Sequence, residues 1–324
     1  MSIRPTAAAP ALDQWIKSLD KAALDAPWTL PGPLIKPKKS AMQARVWRWR
    51  EIEPLLRRSP EFMQPGRGAE RRILRLDNPG VPERTAAHTM SVAVQYLLPG
   101  EVAPAHRHTP NAIRFMLHGE GAFTTIEGDK FVMRRGDLVV TPSMTWHDHG
   151  NEGNEPVIWT DGLDSPVVRY LENLFGQEFE GDAQPIRTGP PARHRHYRWE
   201  TAYAELTSRS KGEADPFDDI IMEYVDPATG GSVVPAISCY LQMLRPGVRT
   251  RAHKQTSSAV YHVVAGTGST EIDGVRHEWG KGDFFALPPR SLHAHANPGA
   301  APAILFSFQD VSLMRTLGFY RAEA

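Results

Sequence analysis

The 324-residue chain has one cysteine, Cys239, and so cannot form an intrachain disulfide. That cysteine sits in the apolar run "AISCYLQML", where a thiol reads as a small core residue. Such sparing use of cysteine fits a reducing, cytoplasmic setting. Net charge is equally scarce, since 37 Lys+Arg balance 37 Asp+Glu. A nucleic-acid partner needs a basic excess, and there is none. No run approaches the ~18 apolar residues of a membrane span. The opening "MSIRPTAAAPALDQWIKSLD" lacks the apolar segment of a secretory signal. What is left is a chain long enough for two domains with real cores.

Histidine is what the chain does have: thirteen of them, concentrated rather than scattered. Residues 1–70 read as a helical arm, with Leu12, Trp15, Ile16, Leu19 and Leu24 at helical spacing and a second helix in "MQARVWRWREIEPLL". From 71 to 165 the texture becomes short β-branched and aromatic runs punctuated by Gly, Pro, Asn and Asp, which suits an all-β sandwich or barrel. Residues 166–235 read as a linker, beginning with a helix in "SPVVRYLENLFGQ". Within it, "RHRHYR" reads as a solvated or interface segment. The β texture returns over 236–324.

The two β regions repeat one another. Gly100 is followed by five residues and then His106-Arg107-His108, with Gly119 closing the next turn; Gly136-Asp137, Pro142, His147 and Asn151 come later. Gly247 is followed by five residues and then His253-Lys254-Gln255, with Gly266, Gly282-Asp283, Pro288, His293 and Asn297 after it. The histidine steps are 41 and 40 residues. Residues i and i+2 of a strand share a face, so His106 and His108 point the same way and His147 can meet them from a facing strand. Three neutral imidazoles with no thiolate suit a first-row divalent metal and leave coordination positions open. The second repeat has Gln255 where His108 would stand, so it is expected to hold little or no metal.

The pattern G-x5-H-x-H…G followed by G-D-x4-P-x4-H-x3-N resembles the paired motifs of the cupin superfamily, and two copies imply a bicupin: two jelly-roll β-barrels with a helical arm and linker. The glutamate that many cupins add as a fourth ligand is absent, with Ala112 and Ala259 at the two positions. The stretch "HRHTPNAIRFMLHGEGAFTTIEGDKFVMRRGDLVVTPSMTWHDHGNEGNEPVIWTDGLD" is similar to the core of gentisate 1,2-dioxygenase and its salicylate- and 1-hydroxy-2-naphthoate-cleaving relatives. The resemblance implies an Fe(II) enzyme held by His106, His108 and His147. It implies that Arg114 holds the substrate carboxylate, that Gln95 and His149 are polar pocket residues, and that Arg72, Asp161 and Trp146 also serve the site. Its reaction would cleave between the carboxyl-bearing and neighbouring hydroxyl-bearing carbons with O2, in a homotetramer. Gentisate, giving maleylpyruvate, is the leading substrate; a substituted salicylate such as 5-nitrosalicylate, or 1-hydroxy-2-naphthoate, is the alternative. A non-catalytic small-molecule-binding bicupin is the reading from another class. The family often reads T-L-W-A-G-L-Q before the iron histidines, whereas this chain reads "TMSVAVQ", with Ser91 for tryptophan and Ala93 for glycine. On a strand, 91, 93 and 95 share a face, so Ser91 is expected to widen the pocket that Gln95 lines.

Overall fold

The computed structural model describes residues 9–29, 39–65, 72–181, 183–193 and 195–324. Residues 1–40 form one unit and 41–324 another. In the first, helix α1 (Ala9–Lys21) carries Trp15, whose ring lies 5.6 Å from that of Trp28.

The second unit is built almost entirely of antiparallel strands. The first half runs β1 (Arg45–Trp47), helix α2 (Trp49–Arg58), β2 (Ile73–Arg75), β3 (Ser91–Leu97), β4 (Val102–His108), β5 (Ala112–His118), β6 (Ala122–Ile126), β7 (Asp129–Met133), β8 (Leu138–Thr141), β9 (His147–Asn151) and β10 (Val157–Leu163). Helix α3 (Ser165–Tyr170), β11 (Gly176–Glu178), β12 (His196–Tyr197), helix α4 (Trp199–Arg209) and β13 (Ile220–Tyr224) follow. The second half runs β14 (Ser238–Leu244), β15 (Lys254–Gln255), β16 (Ala259–Ala265), β17 (Thr267–Ile272), β18 (Val275–Gly280), β19 (Phe284–Leu287), β20 (His293–Ala296), β21 (Ala303–Gln309), helix α5 (Val311–Thr316) and β22 (Ala322–Glu323).

Each half is a two-sheet jelly roll of the cupin kind. The large sheets have the orders β12-β8-β5-β10-β3-β2 and β1-β19-β16-β21-β14-β13. The smaller ones are β11-β4-β9-β6-β7 and β18-β17-β20. Strand alternation sorts their residues into three cores. Leu97, Met116, Phe131 and Trp159 fill the first half, and Tyr261, Trp279, Phe285 and Leu305 fill the second. A third core lies between the two large sheets, where Val92, Val94, Ile113 and Phe115 meet Leu241, Phe284, Phe306 and Phe308. Phe115 stacks on Phe306 with ring centroids 4.0 Å apart. β3 is accordingly buried at all seven positions, because one face serves its own half and the other serves the junction.

The arm and linker do more than their polar composition suggested. The expected second helix over 42–56 begins instead as β1, which pairs with β19 and extends the large sheet of the second half. α2 starts only at Trp49, where the Asp283 carboxylate accepts from the Trp49 N–H and pairs with Arg48, both at 2.8 Å. The linker repeats this arrangement on the first half. β12 pairs with β8, and α4 starts at Trp199, whose N–H donates to Asp137 over 2.9 Å while Arg198 and His196 also reach that carboxylate. Of the two readings of "RHRHYR", solvated or interface segment, residues 195–198 fit the second, since they pack on the first half; His194 lies outside the described residues. The repeated Gly-Asp pairs gain a reason as well. Gly136 and Gly282 have φ of +86° and +91°, and a Cβ at either would come within 2.6 Å of Trp199 or Trp49. The remaining linker expectations also shift. α3 ends at Tyr170, β11 adds to β4, and β13 pairs with β14, so residues 166–235 contribute strands to both halves.

Two expected outcomes test this packing. Gly162 of β10 approaches the Phe308 ring so closely that a Cβ would lie 2.6 Å from it. Gly162→Ala should cost about 1–3 kcal/mol through overpacking, read as a lower denaturation midpoint at unchanged m-value. His262 lies in the same core, with ring centroids 6.3 Å from Phe115 and 4.6 Å from Phe284, and burial pushes its pKa down to about 3. The unfolded chain then binds a proton that the folded one refuses between pH 6.5 and about 3. Stability is full above 6.5 and falls with decreasing pH by up to about 1.4 kcal/mol per unit. Urea titrations of wild type and His262→Leu at pH 7.5 and 5.0 should show a smaller pH-dependent loss in the variant.

Candidate metal centre and substrate pocket

His106 and His108 stand two apart on β4, and His147 begins β9 directly across from His106. Their ring centroids are 4.2 Å (His106–His147), 4.7 Å (His108–His147) and 5.3 Å (His106–His108) apart. One nitrogen from each lies within 4.8 Å of the others, the spacing of a shared cation. Each imidazole is also oriented from behind. Nδ1 of His106 faces the Pro104 carbonyl at 3.1 Å, that of His108 the Pro110 carbonyl at 2.8 Å, and that of His147 the Thr145 carbonyl at 2.8 Å. A carbonyl only accepts, so Nδ1 carries a proton in all three, and in the neutral imidazole the lone pair is then on Nε2. This is the backing that metal-bound histidines require. Burial and the two neighbouring imidazoles hold His147 well below the usual histidine pKa, keeping it neutral. Three neutral nitrogen donors thus fit a divalent first-row metal.

The centre opens on a cavity of about 590 Å³ lined by both sheets of the first half. Arg114, on β5, lies in the large sheet, 3% exposed. It is paired in register with Asp161 of β10, which approaches its guanidinium to 2.9 Å. That approach is a charge contact rather than an aligned hydrogen bond. The other Asp161 oxygen accepts from the Trp159 indole at 2.8 Å, and the guanidinium lies 5.1 Å from the centre of that ring system. Arg114 also donates to the Thr124 hydroxyl at 2.7 Å and faces both nitrogens of His149 at 3.1 and 3.2 Å. A neutral imidazole accepts at only one nitrogen, so only one of those contacts is a hydrogen bond. Five donors meet few acceptors, and Nε has no partner among the described residues. Burial lowers the Arg114 pKa, and Asp161 opposes that shift. Gln95 is 1% exposed, and its amide nitrogen has no protein partner among the described residues, which leaves a buried donor at the cavity wall.

Ser91 and Ala93 line the cavity beside Gln95. Arg72 and Trp146 do not. Arg72 grips Glu101 with both terminal nitrogens, at 2.6 and 2.7 Å, and its Nε and Nη2 donate to the Met63 carbonyl. It ties the first half's large sheet to its β3–β4 turn. Arg71, the other arginine of that stretch, lies outside the described residues. The arginine of this stretch that lines the cavity is Arg75, which pairs in register with Ala93 and which sequence reasoning did not single out. The Trp146 ring packs under Arg107 at 4.5 Å and against Phe179 at 5.0 Å, two residues that line the cavity.

The second half keeps the scaffold and changes the chemistry. His253 bridges His293 as His106 pairs with His147, with centroids 4.3 Å apart, and His293 Nδ1 faces the Ser291 carbonyl. Gln255, however, spends its amide on Gln309 at 3.4 Å and the Tyr320 hydroxyl at 3.2 Å. Tyr261 stands at the position of Arg114, and its register partner is Ser307 where Arg114 has Asp161. The buried arginine–aspartate pair is gone.

A cupin-domain family profile matches residues 93–163 and 240–308. The chain is 36% identical to a 5-aminosalicylate 1,2-dioxygenase of Comamonas sp, over 97% of this chain and 90% of that one. It is 33% identical to a gentisate 1,2-dioxygenase of Streptomyces sp, covering 96% and 95%. The crystal structure of salicylate 1,2-dioxygenase from Pseudoaminobacter salicylatoxidans with gentisate superposes with a TM-score of 0.88 at 32% identity, covering 100% of this chain and 96% of that one. Among the described residues no helix is long and apolar enough to cross a membrane.

The asymmetry between the halves has a measurable consequence. Metal analysis after anaerobic loading with Fe(II) should give one metal per chain. His108→Gln, which copies the second half's set, should lose most of it, and His253→Ala should change nothing. Two metals per chain, one lost with His253, would show that the second half binds as well.

Proposed function

The chain belongs to the family of gentisate and salicylate 1,2-dioxygenases, and we propose that it cleaves the ring of a 2-hydroxybenzoate at an Fe(II) held by His106, His108 and His147. Relatives across nearly the full length are ring-cleaving dioxygenases, which sets aside the non-catalytic bicupin. The observation that carries the reading is the placing of two things on one cavity: three imidazoles backed by carbonyls, and a braced arginine with donors to spare.

Bound Fe(II) supplies the site at which a chelating substrate and O2 meet and exchange electron density. The chain's own residues do the positioning. Arg114 receives the carboxylate on its planar, permanently charged fork. Asp161, Thr124 and Trp159 keep that fork from swinging, so little orientation is lost when substrate enters. Gln95 offers its unpaired amide hydrogens to a substrate oxygen. His149, between Arg114 and the metal histidines, is placed to hold or pass a proton near the phenolic oxygen. Gentisate is the leading substrate. Ser91, at a wall position where relatives often carry tryptophan, favours ring-substituted salicylates as the second reading.

Oxygen uptake by Fe(II)-loaded protein should be measured with gentisate, salicylate, 5-nitrosalicylate and 1-hydroxy-2-naphthoate. At least one should be consumed mole for mole with O2; none being consumed overturns the assignment. Arg114→Ala should keep its metal and lose about ten- to a hundredfold in kcat/KM, the worth of a charge-assisted contact. Wild-type activity in that variant would remove Arg114 from the site.

A further inference from the structure

Four residues form one ladder row across the large sheet of the first half. Arg75 pairs with Ala93, Ala93 with Asp161, and Asp161 with Arg114. All four line the cavity. Neighbouring strands lie about 4.8 Å apart, so the two arginines are about 14 Å apart at their Cα atoms. Between them stand a methyl group and a carboxylate already committed to Arg114 and Trp159.

The row is electrically lopsided. Arg114 has its counter-charge in Asp161. Arg107, the other lining arginine, donates twice to Gln177 and lies over the Trp146 ring. The second lining acid, Glu178, is on the opposite sheet, paired with His106. Arg75 has no hydrogen bond, ion pair or ring contact among the described residues. It stands exposed on edge strand β2, in register with the small Ala93, and lines the same cavity as Ser91.

We propose that Arg75 is a specificity residue. Its guanidinium receives an oxygen-rich, negatively polarised group (nitro, carboxylate or sulfonate) on the substrate ring, at the end away from the carboxylate held by Arg114. The inference rests on the hydroxybenzoate reading above and names the kind of ring substituent it prefers. A planar fork binds two oxygens of one group at once, which a hydroxyl or a halogen cannot offer. Ala93 and Ser91 supply the room that a bulky wall residue would close.

The test compares wild type, Arg75→Gln and Arg75→Lys, loaded anaerobically with Fe(II). Salicylate and 5-sulfosalicylate binding is read by quenching of tryptophan fluorescence without O2. Turnover is read as O2 uptake with salicylate, gentisate and 5-nitrosalicylate. Arg75→Gln should weaken 5-sulfosalicylate binding and raise KM for 5-nitrosalicylate by about ten- to a hundredfold. Salicylate and gentisate should stay within about twofold, with metal content unchanged. Arg75→Lys should recover part of the loss, since it keeps the charge but not the fork. Wild type binding 5-sulfosalicylate no more tightly than salicylate overturns the proposal. So does a loss common to all ligands, which marks a structural role. Absence of turnover with every hydroxybenzoate defeats the assigned reaction instead, and the binding comparison still decides the role of Arg75.

Discussion

Everything in the first half depends on three strands, β3, β5 and β10, that are buried on both faces. Odd positions of β3 and β10 and even positions of β5 face the cavity; their alternates face the second half. Slipping β5 by one residue would exchange Arg114 for Ile113 or Phe115 and send a charge into the junction core. Register is thus fixed from behind by Phe115 on Phe306 and by Gly162 under Phe308. The second half, whatever it binds, acts as the rigid backing against which the pocket wall is set. Such backing is what a site needs if its donors are to be aimed before substrate arrives.

The same scaffold occurs twice, and the way the second copy has changed follows from the cost of buried charge. Arg114 and Asp161 have both been replaced, by Tyr261 and Ser307. Removing one member of a buried pair strands the other's charge, whereas exchanging both for neutral groups is nearly free. The uncharged parts survive. Thr270 still bonds His295 as Thr124 contacts His149, and Asn297 still bonds the carbonyls of Leu244 and Ala301 as Asn151 does those of Leu97 and Glu155. These asparagines hold turns together in both halves, so their repetition reports on fold rather than catalysis.

Those observations explain what was legible in the sequence. The H-x-H pair, the later histidine and the Gly-Asp and Asn punctuation are local patterns at fixed offsets, and strand alternation converts them directly into geometry. Arg72 and Arg75 were not separable that way. "RRILRL" has three arginines; alternation puts Arg72 and Arg75 on opposite faces, and only the pairing of β2 with β3 decides that Arg75 shares the side of Ala93 while Arg72 reaches Glu101. The same limit hid the strand-plus-helix elements "RVWRW" and "RHYRW". Their partners are aspartates 234 and 62 residues away in sequence, and two-residue and three-residue strands have no periodicity to read. The burial of His196 against Asp137 likewise depends on a contact 59 residues distant.

The charges of the cavity can be followed one at a time. The three imidazoles of the centre each donate from Nδ1 to a carbonyl, and burial together with the two neighbouring rings disfavours charge on His147. Arg114 and Asp161 cancel within one ladder pair beside the Trp159 indole, whose ring lies 5.1 Å from the guanidinium and whose N–H donates to the carboxylate. A carboxylate bound at Arg114, as proposed, would meet oriented donors rather than a bare positive charge, and binding it would cost little desolvation of the arginine, since burial has already stripped that water. This arrangement favours placement over raw attraction. It suits a reaction in which the position of the ring relative to the metal decides the bond that breaks.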